Sequence, residues 1–144
     1  MLFRSHAVRL EPDTDLRQAL LAYCADQELE AAYILSCVGS LKRAVIRFAD
    51  RNEGKVLEHK LEILTLSGTL SCHGCHLHIC VANAKGKVSG GHLLDGSLVY
   101  TTAEIVLGEV PDMVFKREKD AKTGWLELDI TLKPWFALVA LPNS

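Results

Sequence analysis

The sequence predicts an α+β fold: a single domain of mostly antiparallel, twisted sheet with one main helix near the N-terminus. One segment carries apolar side chains at steps of three and four, which is typical of an amphipathic helix. Most other segments alternate apolar and polar residues or form short apolar runs between turn residues, as strands do. The 144 residues, 49% apolar and 24% charged, suit one globular domain over 1–144. We expect its core at about 3–130 and a C-terminal extension at 131–144.

The first elements are a strand and the helix. Residues 3–10 begin and end on apolar side chains and predict the strand. Pro12 breaks the pattern, and the acidic groups around Asp15 favour the N-terminus of a helix. The helix is predicted over 14–28. One face of this helix consists of Leu16, Leu20, Tyr23, Cys24 and Gln27.

The middle of the chain predicts three strands. Residues 31–41 form a near-continuous apolar run, which is typical of a strand covered on both sides. Because Gly39–Ser40 interrupts this run, we expect a second strand at 41–50. After a turn, a third strand is predicted over 55–65. Ser67–Gly68 is then expected to bend the chain.

Potential metal ligands are concentrated in the next segment. Four of the six histidines and three of the five cysteines lie within 64–94. Residues 75–81 alternate with the period of a half-buried strand, with three apolar side chains on one face. His76, His78 and Cys80 therefore share the opposite face.

The register of the following hairpin brings a third histidine to this face. Asn83 opens a turn, and the glycine three positions later suits a left-handed conformation, which predicts a three-residue loop with a glycine bulge. With Asn83 paired to Lys87, His78 lies opposite His92, and His76 is the diagonal neighbour of His92. Three imidazoles on one face form the ligand set of an open site for Zn²⁺ or another divalent metal. The alternative is that His-x-His is an ordinary exposed pair.

A second motif overlaps the histidine face. Cys72-His73-Gly74-Cys75-His76 matches the Cys-x-x-Cys-His pattern of haem attachment. Such attachment normally accompanies export, and we find no charged segment followed by an apolar core at the start of the sequence. The two cysteines could also form a redox dithiol or half of a zinc site, although no second Cys-x-x-Cys exists. We favour unreactive thiols at strand ends, then additional metal ligands, and haem last.

The last third of the chain predicts further strands. Residues 97–110 alternate, and Glu104 is the charge in the middle of this run. Glu104 is either an exposed or locally satisfied residue, or a catalytic base or supporting carboxylate near the metal. Pro111 ends the strand. A final hairpin is predicted from 114–118 and 125–130.

Composition and charge limit the classes of partner. The formal net charge is −2 without a basic block, so the sequence lacks the electrostatic footprint of a nucleic-acid-binding protein. No apolar run approaches the ~20 residues of a membrane span, and the longest, Trp135–Leu141, is interpreted as a terminal strand or an interface element. Five cysteines without a paired framework suit a reducing compartment. We expect a cytoplasmic protein without membrane association.

The order of these motifs resembles the plants-and-prokaryotes-conserved (PPC) domain family, in its stand-alone bacterial and archaeal type that is often labelled DNA-binding. The resemblance covers about 3–130 and is carried by Glu62–Thr69, His76–Ile79 and Gly86–Leu93. Its most specific pieces are His-x-His and Gly-Gly-His. The resemblance implies an α/β domain that assembles as a homotrimer.

The same resemblance bears on partners and ligands. In plant members the domain sits beside an AT-hook that binds DNA, and a Gly-Arg-Phe-Glu-Ile-Leu motif binds partners. This chain has no AT-hook, so DNA binding is expected to be weak or absent, and His59–Leu64 keeps only the second half of the partner motif. The fold is similar to that of acetolactate decarboxylase, whose zinc is held by three histidines, two of them in a His-x-His pair. That likeness favours His76, His78 and His92 as ligands.

Three classes of function remain open at this point. The first is a homotrimeric metal-binding module that acts through partners, with a small molecule bound at the metal. The second is a DNA-associated regulator, as the family label suggests. The third is a zinc-dependent lyase or hydrolase, in which the metal polarises water or the carbonyl of a small substrate.

Overall fold

The computed structural model of the protein describes residues 3–134 of the 144. This range contains one helix and nine strands. In chain order they are β1 (Arg4–Leu10), α1 (Leu16–Asp26), β2 (Ala32–Arg47), β3 (Lys55–Leu57), β4 (Leu61–Ser71), β5 (Gly74–Ala82), β6 (Val88–Leu93), β7 (Leu98–Glu109), β8 (Met113–Lys119) and β9 (Leu126–Leu132). The α+β prediction with one main N-terminal helix is confirmed.

Helix α1 is shorter at both ends than predicted. Asp15 is its N-cap, and the Asp15 carboxylate accepts a hydrogen bond from the Gln18 backbone N–H at 3.0 Å. The helix ends before Glu28, whose φ of 52° places it in the left-handed region. Leu16, Leu20 and Cys24 are buried, so the predicted apolar face packs on the sheet.

Three predictions for the strands in the middle of the chain are wrong. Gly39–Ser40 does not end a strand, since β2 runs unbroken from Ala32 to Arg47. A side chain at Gly39 would overlap the backbone of β7, so the glycine allows close approach and a bulge instead of a break. The single strand predicted at 55–65 is two strands, β3 and β4, and β4 continues through Ser67–Gly68, where a bend was expected.

The sheet is antiparallel and partly closed on itself. Its strand order is β1-β7-β2-β4-β5-β6, with β3 added to β2. Strand β2 pairs with β4 through its first half, and at Ile46 and Arg47 it also pairs with β6. Strands β2, β4, β5 and β6 therefore form a closed ring. This closure sets His92 of β6 directly opposite Arg47 of β2.

The hydrophobic core anchors the histidine strand from its other face. Leu77, Ile79 and Val81 of β5 are 2%, 1% and 0% exposed. They belong to one buried cluster together with side chains from α1, β2, β4 and β7. The predicted alternation of β5 is confirmed, and His76, His78 and Cys80 lie on the other face.

The hairpin of β8 and β9 forms a separate two-stranded sheet. Strand β8 extends one residue beyond the predicted 114–118 at each end, whereas β9 starts one residue later and ends two residues later than the predicted 125–130. Phe115 is buried, and its backbone N–H donates to the Glu30 carbonyl at 2.8 Å while its carbonyl accepts from the Ser71 hydroxyl at 2.7 Å. Trp125 and Ile130 are 63% and 54% exposed. This hairpin is therefore fastened near its start and exposes apolar side chains beyond that point.

Two predictions fall near or beyond the end of the described range. The extension predicted at 131–144 is described only through position 134, where its first residues complete β9. The strand or interface element predicted at Trp135–Leu141 lies outside the described residues. Within 3–134, no helix has the length and apolar character that a membrane crossing requires.

Candidate metal centre

The turn between β5 and β6 fixes the register of the histidines. The Asn83 N–H donates to the Lys87 carbonyl at 3.0 Å, and the Gly86 N–H donates to the Asn83 carbonyl at 2.8 Å. The Asn83 side-chain oxygen accepts from the backbone N–H groups of Lys85 and Lys87. Gly86 has a φ of 73°, the left-handed conformation that the loop requires. The predicted three-residue loop is confirmed, and it pairs His78 with His92.

Two glycines allow β6 to lie between β5 and β2. A Cβ at Gly90 would lie 2.9 Å from the Ile79 carbonyl oxygen, and one at Gly91 would lie 2.5 Å from the Arg47 carbonyl oxygen. Either contact would push a neighbouring strand away. The Gly-Gly pair before His92 therefore permits the backbone approach that places its imidazole beside those of β5.

The three predicted histidines converge. The Nε2 atom of His76 lies 3.1 Å from Nε2 of His78 and 3.2 Å from Nδ1 of His92. One ring nitrogen from each histidine lies within 4.8 Å of one from each of the others. The rings of His76 and His92 are stacked, whereas His78 is edge-on to both. Three nitrogens with free lone pairs can thus face a common point.

This arrangement fits a divalent cation better than a set of hydrogen bonds. A single ring nitrogen carries at most one proton, so Nε2 of His76 cannot make a full hydrogen bond to both neighbours. Tetrahedral zinc with Zn–N bonds of about 2.0–2.1 Å separates its nitrogens by about 3.3 Å, close to the 3.1 and 3.2 Å measured from His76. His78 is exposed and has room to rotate toward the same point.

Burial and nearby positive charges favour the neutral form of two of these histidines, the form that can bind a metal. Burial lowers the pKa of His76, and the charges of Arg117 and His78 lower it further. Burial also lowers the pKa of His92, aided by the charge of Arg47. Neutral imidazole is the form that offers a lone pair to a metal.

Comparison with known proteins identifies the family. The family model of the Plants and Prokaryotes Conserved (PCC) domain, also abbreviated PPC, matches residues 1–111. The chain belongs to the PCC domain family. It is also 49% identical over 127 residues to the bifunctional protein GlmU of Synechococcus sp. (strain JA-3-3Ab), a match that covers 88% of this chain and 20% of the relative. The chain thus spans about a fifth of the length of the curated relatives it matches.

Solved structures share the PCC fold. A hypothetical protein from Salmonella enterica has a TM-score of 0.89 and 36% identity, with 92% of this chain and 96% of that chain covered. A metal-containing protein from Archaeoglobus fulgidus has a TM-score of 0.76 and 28% identity, with 87% and 92% covered. A Bacteroides thetaiotaomicron protein named as a candidate DNA-binding protein has a TM-score of 0.74 and 24% identity, with 87% and 91% covered, a likeness that shows the fold alone.

The structure does not bring the predicted catalytic residue Glu104 to the histidines within one PCC domain. Glu104 lies on the exposed face of β7, paired with Arg9 of β1 and Val38 of β2. On β2, Val38 and the partner of His92, Arg47, are separated by roughly 30 Å of extended strand at about 3.3 Å per residue. A carboxylate role for Glu104 at the metal stays a prediction without a contact in the chain to support it.

The cysteines of the Cys-x-x-Cys-His motif lie at the turn between β4 and β5. Cys72 is exposed in the turn, and Cys75 is half-buried at the start of β5. Burial raises the pKa of both thiols, and for Cys75 the nearby Arg17 opposes this effect. Neutral thiols are weak nucleophiles and weak metal ligands. The geometry therefore favours the interpretation of both residues as unreactive thiols.

A cleft that the sequence did not reveal opens beside the histidines. It has a volume of about 770 Å³ and is lined by residues of α1, β2, β5, β6, β8 and β9, together with the loops beside them. His76 and His92 contribute to its wall, as do Arg47, Arg117 and Trp125. Arg47 lies far in sequence from Arg117 and Trp125, which belong to one hairpin, and no local motif marks these residues. Only the closure of the ring and the placement of the β8–β9 hairpin bring them together.

Proposed function

We propose that this PCC-domain protein binds one Zn²⁺ or a similar divalent ion through His76, His78 and His92, and that it presents the ion to a small molecule in the adjacent cleft. The observation that carries the proposal is the position of His76 Nε2, 3.1 and 3.2 Å from nitrogens of the other two histidines. The metal-containing protein of the same fold supports a metal in this family.

A metal held by three histidines would still be accessible to a small molecule. Three protein ligands leave a further position of a zinc ion available, and a bound ion would supply Lewis acidity there. His76 and His92 line the cleft. A small molecule in the cleft would therefore lie beside the imidazole nitrogens that are proposed to bind the metal. Leu77 and Ile79 hold β5 in the core, which fixes the backbone that carries the imidazoles.

The metal content of the protein after purification and reconstitution with a divalent ion tests the proposal. The unmodified protein should carry about one divalent ion per chain after reconstitution, and His78→Ala should lose stoichiometric metal because it leaves only two nitrogens. Cys72→Ser and Cys75→Ser are matched controls on the same hairpins and should retain metal. Metal that survives His78→Ala but disappears with the cysteine substitutions would place the ion at the thiols and contradict the proposal.

A second candidate is a zinc-dependent lyase or hydrolase that acts on a small carbonyl compound. The specific observation in its favour is a carboxylate in the cleft itself: Glu127 of β9 lines the cleft together with His76. Its Oε1 accepts a hydrogen bond from the Thr123 hydroxyl at 3.0 Å. Glu127 is therefore better placed than Glu104 to move a proton. Turnover of a carbonyl substrate that is abolished by Glu127→Gln, with metal retained, would favour this class over a binding module.

We also propose that the protein assembles as a homotrimer and acts in the cytoplasm. Large apolar side chains are exposed on β2, β4 and β7, and they include Leu35, Val38, Leu64 and Tyr100. An exposed apolar surface of this kind is typical of a contact between subunits. All five cysteines are free, which suits a reducing compartment. Sedimentation should show three times the 15.9 kDa chain mass, and a monomer at micromolar concentration would contradict the assembly.

A further inference from the structure

The cleft beside the histidines carries an excess of positive charge. Four arginines line it, against the two carboxylates of Asp50 and Glu127. The whole chain, by contrast, has a formal net charge of −2. Cations are thus concentrated at a place where a ligand would approach the imidazoles of His76 and His92, and a positively lined concave site attracts anions.

Three of these arginines have no acidic partner among the residues that the structure describes. Arg17 is paired with Asp95 at 2.6 Å. Within residues 3–134, by contrast, the guanidinium groups of Arg47, Arg51 and Arg117 form no ion pair with a carboxylate. Arg47 and Arg117 are also only partly exposed. A half-buried guanidinium without a carboxylate partner can still bind a carboxylate or phosphate through two parallel hydrogen bonds.

The β8–β9 hairpin brings Arg47 and Arg117 to the same wall. The guanidinium carbon of Arg47 lies 5.9 Å from the centre of the Trp125 ring. The Arg117 guanidinium donates a hydrogen bond to the backbone carbonyl of Leu126, the residue that follows Trp125. Arg117 also extends over Gly74, where an added Cβ would lie 3.1 Å from its Cγ. The two cations are therefore held by neighbouring residues of one segment, beside the strand that carries His76.

We propose that this cleft binds a small organic anion, with its carboxylate or phosphate group held by Arg47 and Arg117 and its apolar part packed against Trp125. The volume of about 770 Å³ is that of a small-molecule site. Leu94 and Leu126 add apolar surface to the wall. The inference rests on the proposed metal site, because it names the class of ligand that would reach the open position, but the arginines bind the anion whether or not the ion is present.

Calorimetry with three small probes tests this inference. Pyruvate represents a carboxylate, methyl phosphate represents a phosphate, and acetone is the uncharged counterpart of pyruvate. Each is titrated into the full chain freed of metal by a chelator, and again into the chain loaded with Zn²⁺. We expect at least one anion to bind in both forms, with affinity that falls as salt is added, and acetone not to bind to the metal-free form.

Substitutions of arginine identify the residues responsible. Arg47→Met and Arg117→Met keep an unbranched, flexible side chain but remove the guanidinium and its charge, and each should weaken anion binding about ten- to hundredfold. Arg47→Lys should restore part of the affinity, since it keeps the charge and loses the planar fork. Arg9→Met is the matched control, because Arg9 is exposed on β1 opposite Glu104. Unchanged melting temperatures confirm that the variants are folded.

The outcomes separate this inference from the metal proposal. Arginine-dependent anion binding in a protein that takes up no metal would support the anion site and defeat the metal site. Anion binding that requires Zn²⁺ and ignores both arginine substitutions would defeat the anion site and leave the metal site standing. Binding of duplex DNA that depends on Arg47 and Arg117, with no binding of the small probes, would also overturn the proposal.

Discussion

Two hairpins of this protein, β5–β6 and β8–β9, line the same cleft but are held in place very differently. On β5, the side chains that face inward are almost completely buried, so the histidines on the outer face stand on a fixed backbone. On β8–β9, Phe115 is buried, whereas Trp125 and Ile130 are more than half exposed. The first hairpin carries the three histidines proposed as metal ligands, and the second carries Arg117, Trp125 and Glu127.

The difference teaches where precision is built into the site. Metal ligands must be held within a few tenths of an ångström, which the core under β5 and the ring closure at Arg47 provide. Residues that bind a variable ligand tolerate more movement, and a hairpin with few buried contacts opens at lower free energy than a core strand. We therefore expect β5–β6 to be the rigid wall of the cleft and β8–β9 the adjustable one.

The same isoleucine truncation in the two hairpins should give the largest contrast. Ile79→Ala removes a fully buried side chain and should lower the free energy of unfolding by about 2–5 kcal/mol. Ile130→Ala removes a half-exposed side chain and should lower the free energy of unfolding of the monomer by about 1 kcal/mol or less. Urea denaturation of both variants measures the difference, and equal losses would contradict the assignment of rigid and adjustable walls.

A pair of glycine substitutions should have the next largest effect. A side chain at Gly68 would overlap the His76 carbonyl oxygen, at a backbone φ of 135°. Gly68→Ala should therefore cost about 1–3 kcal/mol of strain or more and disturb the metal site. Gly86→Ala is the control: its φ is also positive, at 73°, but its surroundings are open, so about 1 kcal/mol is expected. Zinc affinity measured alongside stability should fall only for Gly68→Ala.

Acidification should weaken zinc binding at a pH below the ordinary histidine range. Protons compete with the metal for the imidazole nitrogens, so affinity falls as each histidine becomes protonated. The pKa values of His76 and His92 are lowered from the ordinary value of about 6.5, and both rings stay neutral to a more acidic pH. Competition titrations with a zinc indicator should therefore show the steep loss of affinity below about pH 6.5. A loss of zinc affinity that is already complete above about pH 6.5 would contradict the lowered pKa values of His76 and His92.

Local sequence signals predicted the part of the site that depends on one hairpin. Asn83 and Gly86 determine the loop, the loop determines the pairing of His78 with His92, and the period-2 pattern assigns the faces. Each of these steps involves residues close in sequence. The same local reasoning located α1 to within two residues at each end.

The rest depends on contacts between distant segments. A glycine followed by a serine is typical of a strand break, which is why Gly39 was expected to end the strand. In the structure the Gly39 backbone instead packs closely against β7 inside a long strand. The pairing of Arg47 with His92 follows from the closure of a four-strand ring, and no turn signal specifies it. Trp125 and Glu127 reach the cleft only because Phe115 fastens their hairpin to the segment before β2. Patterns read along one strand do not contain this information.

X-ray absorption at the zinc edge tests the central claim most directly. The protein loaded with one equivalent of Zn²⁺ should show three nitrogen ligands with imidazole scattering at about 2.0–2.1 Å, one further light atom, and no sulfur. His78→Ala should lose one imidazole contribution or fail to hold the ion. A sulfur shell at about 2.3 Å in the unmodified protein would instead assign the ion to Cys72 and Cys75 and contradict the three-histidine site.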